Sequence, residues 1–226
     1  GEMMGKKRVS IITLANDFGK SLEAGFKEKA AEFGIEILGE FDYSIKDREF
    51  GPIVSKVKAE APDAIYASGY FFTAGPLVSQ LRAAGVDVPV IGQEGYDGEM
   101  FIKIAGAAAE GVIITTSLDR DSTDPLAQAF IQGFQKKSGY PADMVSASTH
   151  TAVLVLAEAM KQVDPSDKAA LRQAIASTSI NAATGNISFN KLGEVRKSVQ
   201  VQVVRDGSWH HFAVISDPVL LAPPEE

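Results

Sequence analysis

Near the start of the chain, an unbroken run of apolar residues is followed by a segment in which apolar residues recur periodically. Residues Arg8–Leu14 form a largely apolar, β-branched run, which is typical of a strand buried on both faces. Apolar positions then recur at helical spacing over Ser21–Phe33, and Gly34 follows where a left-handed cap favours glycine. We therefore predict a strand followed by a helix. The joint at residues 16–19 is either a simple turn or one wall of a binding site.

The same alternation continues through the first half of the chain. Short apolar runs predict further strands at Ile35–Phe41, Ala64–Ala67, Val88–Gly92 and Val112–Thr116. Amphipathic segments between these runs predict helices at Asp47–Glu60, Ala74–Ala84 and near Gly98–Ile104. Because strands alternate with helices and no hairpin signal separates them, the fold class is predicted to be α/β. The architecture that this order favours is a doubly wound parallel sheet covered on both faces.

The pattern changes near residue 120. Helices without an intervening strand are predicted at Pro125–Lys137, Met144–Gln162 and Asp167–Ser177. Helices of this kind need a surface to pack on, and this part of the sequence predicts no strand. We therefore expect either a helical cap on the first domain or part of a second domain whose strands lie elsewhere.

The last part of the chain returns to extended structure. Residues Gly185–Asn190 predict a short extended piece and a turn. Alternation over Ser198–Arg205, the dipeptide Asp206–Gly207 and the run Ser208–Ile215 predict a terminal hairpin. Residues 217–226 are expected to form a loose tail.

Composition narrows the class of protein. The chain has 226 residues, of which 45% are hydrophobic and 23% charged, so it is long enough to bury a substantial core. Its net charge is −7 and no basic block is present, which argues against a nucleic-acid partner. There is no cysteine, which excludes disulfides, thiol nucleophiles and cysteine metal sites. No apolar stretch is long enough to cross a bilayer.

A candidate ligand site follows from the predicted sheet, because open parallel sheets bind ligands outside the carboxyl ends of their strands. Aromatic, amide and carboxylate side chains follow the first, third and fourth strands there, and they would suit a small amphiphile with a positive group. The candidate ligand-binding residues are Asn16, Phe18, Tyr70, Phe71, Glu94 and Tyr96. Alternatively, Glu94 caps the following helix and Phe71 fills the interface between sheet and helix.

Signals for catalysis are few. None of the three histidines has a partner at the helical spacing that metal binding needs, so no metal and no other cofactor are predicted. Asp17-Phe18-Gly19 matches a kinase tripeptide, but no catalytic loop precedes it. Neither a phosphate loop nor a G-x-S-x-G elbow is present. We therefore predict a binding protein without catalytic residues.

Several stretches resemble one protein family. They are "RVSIITLANDFGKSLEAGFKEKAAEFGIEI", "APDAIYASGYFFTAGPLVSQLRAAGVDVPVIGQEGY", "AAAEGVIITTS" and "GNISFNKLGEVRKSVQVQVVRDGSW". In this order, from about Lys7 to Phe212, the chain resembles the second half of type I periplasmic binding proteins. It is similar in particular to the leucine/isoleucine/valine-binding branch, which serves ABC transporters. A sensory or regulatory domain of the same fold is the alternative function.

The resemblance implies a domain organisation. Residues 7–120 and 198–216 would form lobe two of the family's fold, residues 124–180 a helical part of lobe one, and residues 181–197 a connection. The family's N-terminal stretch, which carries the sheet of lobe one, has no counterpart here, so lobe one is expected to be incomplete. Binding by this chain alone is then expected to be weak. The apolar faces left open, including Phe130, Phe134, Val153 and Leu156, predict self-association.

The resemblance also implies contacts, partners and a compartment. By the family's pattern, Phe18 would pack on the ligand side chain, and Tyr70 and Glu94 would hold the ammonium of an amino acid in a cleft between lobes. The family usually has tyrosine at the position of Phe18, so the contact lacks a hydroxyl here. A branched-chain or aromatic amino acid is the expected ligand and the permease subunits of an ABC importer are the expected partners. The expected location is periplasmic or otherwise extracytoplasmic.

Overall fold

A computed structural model of the chain describes residues 1–218, 220 and 221. The chain separates into two compact units. The first unit contains Gly1–Ile114 and Val203–Trp209, and the second contains Thr115–Gln202 together with the residues from His210 onward. Most of the predicted tail, residues 217–226, lies outside the described residues.

The helices and strands of the first half follow the predicted order. Their bounds are β1 Arg8–Leu14, α1 Asp17–Glu32, β2 Glu36–Tyr43, α2 Gly51–Glu60, β3 Ala64–Ala67, α3 Phe71–Ala83, β4 Val90–Gly92, α4 Glu99–Ala105 and β5 Ile113–Thr116. Short 3-10 helices at Glu94–Tyr96 and Gly106–Ala109 flank α4. The predicted bounds of β1 and β3 are confirmed. The predicted start of the second helix, at Asp47, is wrong: it begins at Gly51, where Pro52 occupies the first turn.

The main sheet has seven strands in the order β10-β9-β5-β4-β3-β1-β2, in which β9 is Val199–Arg205 and β10 is Ser208–Ile215. Strands β1 to β5 pair in parallel. The predicted hairpin between β9 and β10 is confirmed, and its turn places both Asp206 and Gly207 at positive φ. The predicted α/β fold with a mostly parallel sheet is therefore confirmed.

The sheet of the first unit is covered on both faces. Successive side chains of a strand point to opposite faces, so β1 divides its residues between two apolar clusters. Ile12 and Leu14 belong to a large cluster that includes Leu77, whereas Val9 and Ile11 belong to a smaller one. Burying each of these large side chains contributes about 1.5–3 kcal/mol. Because both faces of β1 are buried, its sequence is a nearly unbroken run of apolar residues.

One carboxylate is buried in helix α1. The side chain of Glu23 is 10% exposed and lies 2.8 Å from Lys20 Nζ and 3.7 Å from Lys27 Nζ. Both lysines also reach β2, at Asp42 and Glu40 respectively. Burial raises the pKa of Glu23, but the hydrogen bond from Lys20 and its charge outweigh burial, and the net pKa is lowered. Glu23 therefore links α1 to β2 in its ionised form.

We expect E23Q to lower the free energy of unfolding by about 1 kcal/mol at neutral pH, because the lysines lose their charged partner. A lowered pKa in the folded state contributes stability above the unfolded value of about 4.3, and that stability is lost as the pH falls. The free energies of unfolding of the wild type and E23Q, measured by urea denaturation, should therefore converge as the pH falls below this value. E32Q is the matched control, since Glu32 pairs with Lys29 on the exposed face of the same helix and should change little.

The second unit combines helices with a small sheet. Its helices are α5 Pro125–Ser138, α6 Met144–Met160 and α7 Lys168–Ser177. Strands β6 Ile180–Ala182, β7 Gly185–Phe189 and β8 Val195–Arg196 form an antiparallel sheet. The three predicted helices are confirmed. The sheet was not predicted, because strands of 3, 5 and 2 residues are too short to show alternation.

Helix α6 is apolar around most of its circumference but is covered on one side only. It buries Ala147, Thr151, Val155 and Ala159, which follow each other at intervals of four residues. Val153 and Leu156 are exposed, as predicted, whereas Phe130 and Phe134 of α5 are partly buried against an apolar cluster. No helix within the described residues is both long enough and apolar enough to cross a membrane.

Candidate functional site

The first turn of the site joins β1 to α1. Asn16 caps the helix, since its Oδ1 accepts a hydrogen bond of 2.8 Å from the backbone N–H of Gly19. The helix therefore begins at Asp17 rather than at the predicted Ser21. Gly19 is required here, because a Cβ at this position would lie 2.0 Å from the carbonyl oxygen of Leu14. This cap places Phe18 in the first turn of the helix, where it is half-buried.

The second turn joins β3 to α3. Helix α3 begins at Phe71 rather than at the predicted Ala74, and Tyr70 precedes it. Thr73 Oγ1 accepts a hydrogen bond of 3.3 Å from the backbone N–H of Tyr70. Tyr43, at the end of β2, donates its hydroxyl to the carbonyl oxygen of Ser68 at 2.8 Å. These bonds fix the segment from Ser68 to Tyr70 and connect it to the end of β2, which lies beyond β1 in the sheet.

The third turn follows β4 and is fixed to the second by Gln93. This buried side chain donates to the carbonyl oxygen of Gly69 at 2.9 Å and accepts from the backbone N–H of Gly95 at 2.6 Å. A Cβ on Gly95 would lie 2.1 Å from the same carbonyl oxygen, so the two turns touch. Gln93 rather than Glu94 therefore caps the short helix. Glu94 is exposed, and its turn is the one that Gln93 fixes to the turn carrying Tyr70.

Three aromatic rings and a guanidinium form a ladder at this edge. The rings of Phe18 and Tyr70 are stacked with centroids 5.3 Å apart and an interplanar angle of 8°. The ring of Phe72 stacks on Tyr70 at 5.7 Å, and Arg48 lies over Phe72 at 5.4 Å from the ring centroid. Such stacking limits ring rotation, so the ladder is a preformed apolar wall.

The field of Glu94 reaches the end of β3. Burial, and after it the negative charge of Glu94, raise the pKa of the Tyr66 hydroxyl to about 12. Tyr66 itself stacks on Phe26 at 4.2 Å and donates its hydroxyl to the carbonyl oxygen of Leu22. The same edge therefore combines an apolar wall with an accessible negative charge.

Some of the predicted site residues lie on turns that are in contact, whereas others have structural roles. Phe18 and Tyr70 are in contact, and Glu94 lies at the turn locked to that of Tyr70. Asn16 acts as a helix cap, and Phe71 packs partly buried against the large core cluster, as in the alternative interpretation.

Tyr96 is placed in the core. Its side chain is fully buried and stacks on Phe101 at 5.3 Å, and burial raises the pKa of its hydroxyl well above the usual value. The hydroxyl has no hydrogen-bond partner among the described residues. The expectation that this ring contacts a ligand is therefore not compatible with its position, because the 3-10 turn at Glu94–Tyr96 directs it inward.

Two parts of the site, Arg48 and the bridging role of Gln93, are not predicted by the sequence. Arg48 lies in a loop without periodicity, and no local pattern connects it to Phe72. The bridging role of Gln93 depends on contact with Gly69, which is remote in sequence. Within the described residues, no group of three or more histidine, aspartate or glutamate side chains is arranged to hold a metal ion.

The mostly parallel sheet and its strand-end turns can now be compared with those of known proteins. The chain belongs to the family described as "Periplasmic binding protein", which matches residues 2–208. The resemblance seen in the sequence is therefore confirmed. Members of this family are solute-binding proteins.

Two relatives and two solved structures define the branch more narrowly. The chain is 25% identical over 190 residues to a leucine-, isoleucine-, valine-, threonine- and alanine-binding protein of Pseudomonas aeruginosa, covering 84% of this chain and 51% of that protein. It is 27% identical over 194 residues to Leu/Ile/Val-binding protein homolog 3 of Brucella melitensis, covering 85% and 52% respectively.

The structure of the leucine-binding protein LivK from Thermotoga maritima superposes with a TM-score of 0.90 at 28% identity, over 96% of this chain and 63% of that one. The structure of LivJ from Streptococcus pneumoniae, a branched-chain amino acid transporter substrate-binding protein solved with isoleucine, superposes with a TM-score of 0.85 at 25% identity. The match covers 95% of this chain and 61% of that one. The chain thus spans about half the length of the curated relatives that it matches.

Proposed function

We propose that this chain is the solute-binding component of an ABC importer and that it binds an amino acid of the branched-chain or aromatic type, or a related small amphiphile. The observation that carries the proposal is that exposed Glu94 lies on a turn which Gln93 fixes to Gly69, the residue before Tyr70. The ring of Tyr70 in turn stacks on Phe18. An ammonium group would pair with Glu94. An apolar side chain would pack on the ring ladder. The residues proposed to touch the ligand are Phe18, Tyr70 and Glu94.

The relatives support this function over the alternative one. Those described above are named as binding proteins for leucine, isoleucine and valine or as transporter components. No observation favours a sensory or regulatory role. Binding rather than catalysis is the proposed activity, with ABC permease subunits as partners and an extracytoplasmic location. In this proposal, residues 7–120 and 198–216 serve as lobe two, residues 124–180 belong to lobe one, and residues 181–197 connect them.

A titration followed by two-dimensional amide NMR tests the function, since it detects weak as well as tight binding. Leucine at millimolar concentrations is expected to shift the amide signals of Phe18, Tyr70 and Glu94 in a saturable way. Isocaproate, which is leucine without its amino group, is expected to leave them nearly unchanged, because it cannot pair with Glu94. Leucine, isoleucine, valine and phenylalanine all failing to shift these signals would refute the proposal.

We also propose that the open face of helix α6 mediates self-association. Val145, Val153, Leu154, Leu156 and Met160 are all exposed on this helix. Exposed apolar side chains on a helix tend to find a partner. Sedimentation velocity should show a concentration-dependent dimer, and V153E should shift it to monomer. A wild-type chain that stays monomeric at every concentration would contradict this proposal.

A further inference from the structure

The chain passes between the two units three times. The passages follow Ile114 in β5, Gln202 in β9 and Trp209 in β10. Any rearrangement of one unit against the other must be absorbed by these three connecting segments. The residues that fix the segments to each other are therefore able to control such a rearrangement.

A single aspartate contacts the second-unit ends of two of these segments and belongs to the third. Asp119 lies in the loop that directly continues β5. Its Oδ1 accepts a hydrogen bond of 2.9 Å from Nε2 of Gln202, and its Oδ2 lies 2.7 Å from Nδ1 of His211. Arg120 adds a second bond to the β9 segment, since its guanidinium donates to Oε1 of Gln202 at 3.1 Å. The Asp119 side chain is only 13% exposed, so water competes weakly for these bonds.

The side chain of a second aspartate contacts the β10 segment. Asp121 Oδ2 accepts a hydrogen bond of 2.8 Å from the backbone N–H of His211 and lies 3.1 Å from Nδ1 of His210. Burial raises the pKa of Asp121, but the hydrogen bonds and charges of the two histidines outweigh it and lower the pKa. The charged and titratable groups of the cluster are thus Asp119, Arg120, Asp121, His210 and His211.

We propose that Asp119, Gln202 and His211 form a clasp that holds together the three connecting segments at their second-unit ends and restrains their movement. The carboxylate of Asp119 joins two residues that are remote from it in sequence, Gln202 of β9 and His211 of β10. Because this side chain is largely shielded from water, its hydrogen bonds are stronger than they would be at an exposed position. This inference concerns the protein's conformational freedom and does not depend on the identity of the ligand.

Hydrogen–deuterium exchange of the backbone amides tests the clasp. D119A removes the bonds to Gln202 and His211, together with one of 3.0 Å that Oδ1 accepts from the backbone N–H of Asp121. Protection is therefore expected to fall by about tenfold in both Val199–Arg205 and Ser208–Ile215. D121A is the matched control: it removes the contacts to His210 and His211 only, so protection should fall in Ser208–Ile215 and stay unchanged in Val199–Arg205. Loss of protection confined to the loop around residue 119 in D119A would overturn the proposal.

The conservative variant D119N separates the two contacts of the clasp and keeps the test open if D119A does not fold. Its amide oxygen still accepts from Gln202, whereas a neutral amide group replaces the carboxylate oxygen that faces Nδ1 of His211. Protection is therefore expected to fall in Ser208–Ile215 and to stay near the wild-type value in Val199–Arg205. An equal fall in both strands would refute the clasp.

Discussion

Replacing Glu94 by glutamine is expected to weaken leucine binding by roughly 10- to 100-fold, the loss that follows when a charged hydrogen-bond partner is removed. Glutamine keeps the shape of the side chain and one acceptor oxygen, so the loss reports on the charge. The exposed position of Glu94 on a turn fixed by Gln93 means that the substitution should not disturb the fold. Dissociation constants from the amide NMR titration measure the effect.

The matched control for this variant is E99Q. Glu99 lies close to Glu94 in sequence, is exposed, and pairs with Lys103 along helix α4. It carries the same charge but belongs to no turn of the candidate site, so binding should change by less than about twofold. Equal losses of leucine affinity in E94Q and E99Q would show that binding depends on the overall negative charge of this edge and not on Glu94 itself. No loss in E94Q would remove Glu94 from the site.

Replacing Gly19 by alanine is expected to lower the free energy of unfolding by about 2–3 kcal/mol, the usual cost of forcing an atom into a packed site. The added Cβ would lie 2.0 Å from the backbone oxygen of Leu14 and 3.1 Å from Ser68 Oγ. Backbone cannot yield as a flexible side chain does, so the first turn of α1 must move. Because Phe18 belongs to that turn, leucine binding should weaken as well. Urea denaturation and the same titration measure the two effects.

Helix α1 supplies its own control in Gly25. A Cβ at Gly25 would meet nothing within 4 Å, and alanine is the better helix former. G25A is therefore expected to raise the free energy of unfolding by about 0.5–1 kcal/mol and to leave binding unchanged. If G19A lowers and G25A raises the free energy of unfolding, the loss in G19A comes from the close contact with the backbone and not from helix propensity. A stable G19A protein would mean that the turn is looser than the structure indicates.

Local patterns account well for the buried strands and for the ends of the sheet. The bounds of β1 and β3 could be predicted because each is a short apolar run buried on both faces, and such runs leave no ambiguity of face. The position of Phe18, Tyr70 and Glu94 at one edge could be predicted as well, since carboxyl ends of parallel strands share an edge. Those predictions need only the order of strands and helices along the chain.

The helix starts and the inner architecture of the site depend on contacts remote in sequence. Gly19 looks like a break in the helical pattern, yet it lies inside helix α1. Glycine is needed there because the end of β1 leaves no room for a Cβ. The extended piece predicted at Gly185–Asn190 is strand β7, but its antiparallel pairing with β6 and β8 depends on contacts that no local pattern shows.

The sequence by itself determined the α/β alternation, the buried strands and the edge that carries the acidic and aromatic residues, because hydrophobic periodicity and strand polarity are local properties. Tertiary structure decided that Tyr96 lies in the core, that Gln93 joins two turns, and that Asp119 contacts Gln202 and His211. Each of these depends on which distant backbone or side chain lies within hydrogen-bonding or packing distance, and that information is not present in any short stretch of the chain.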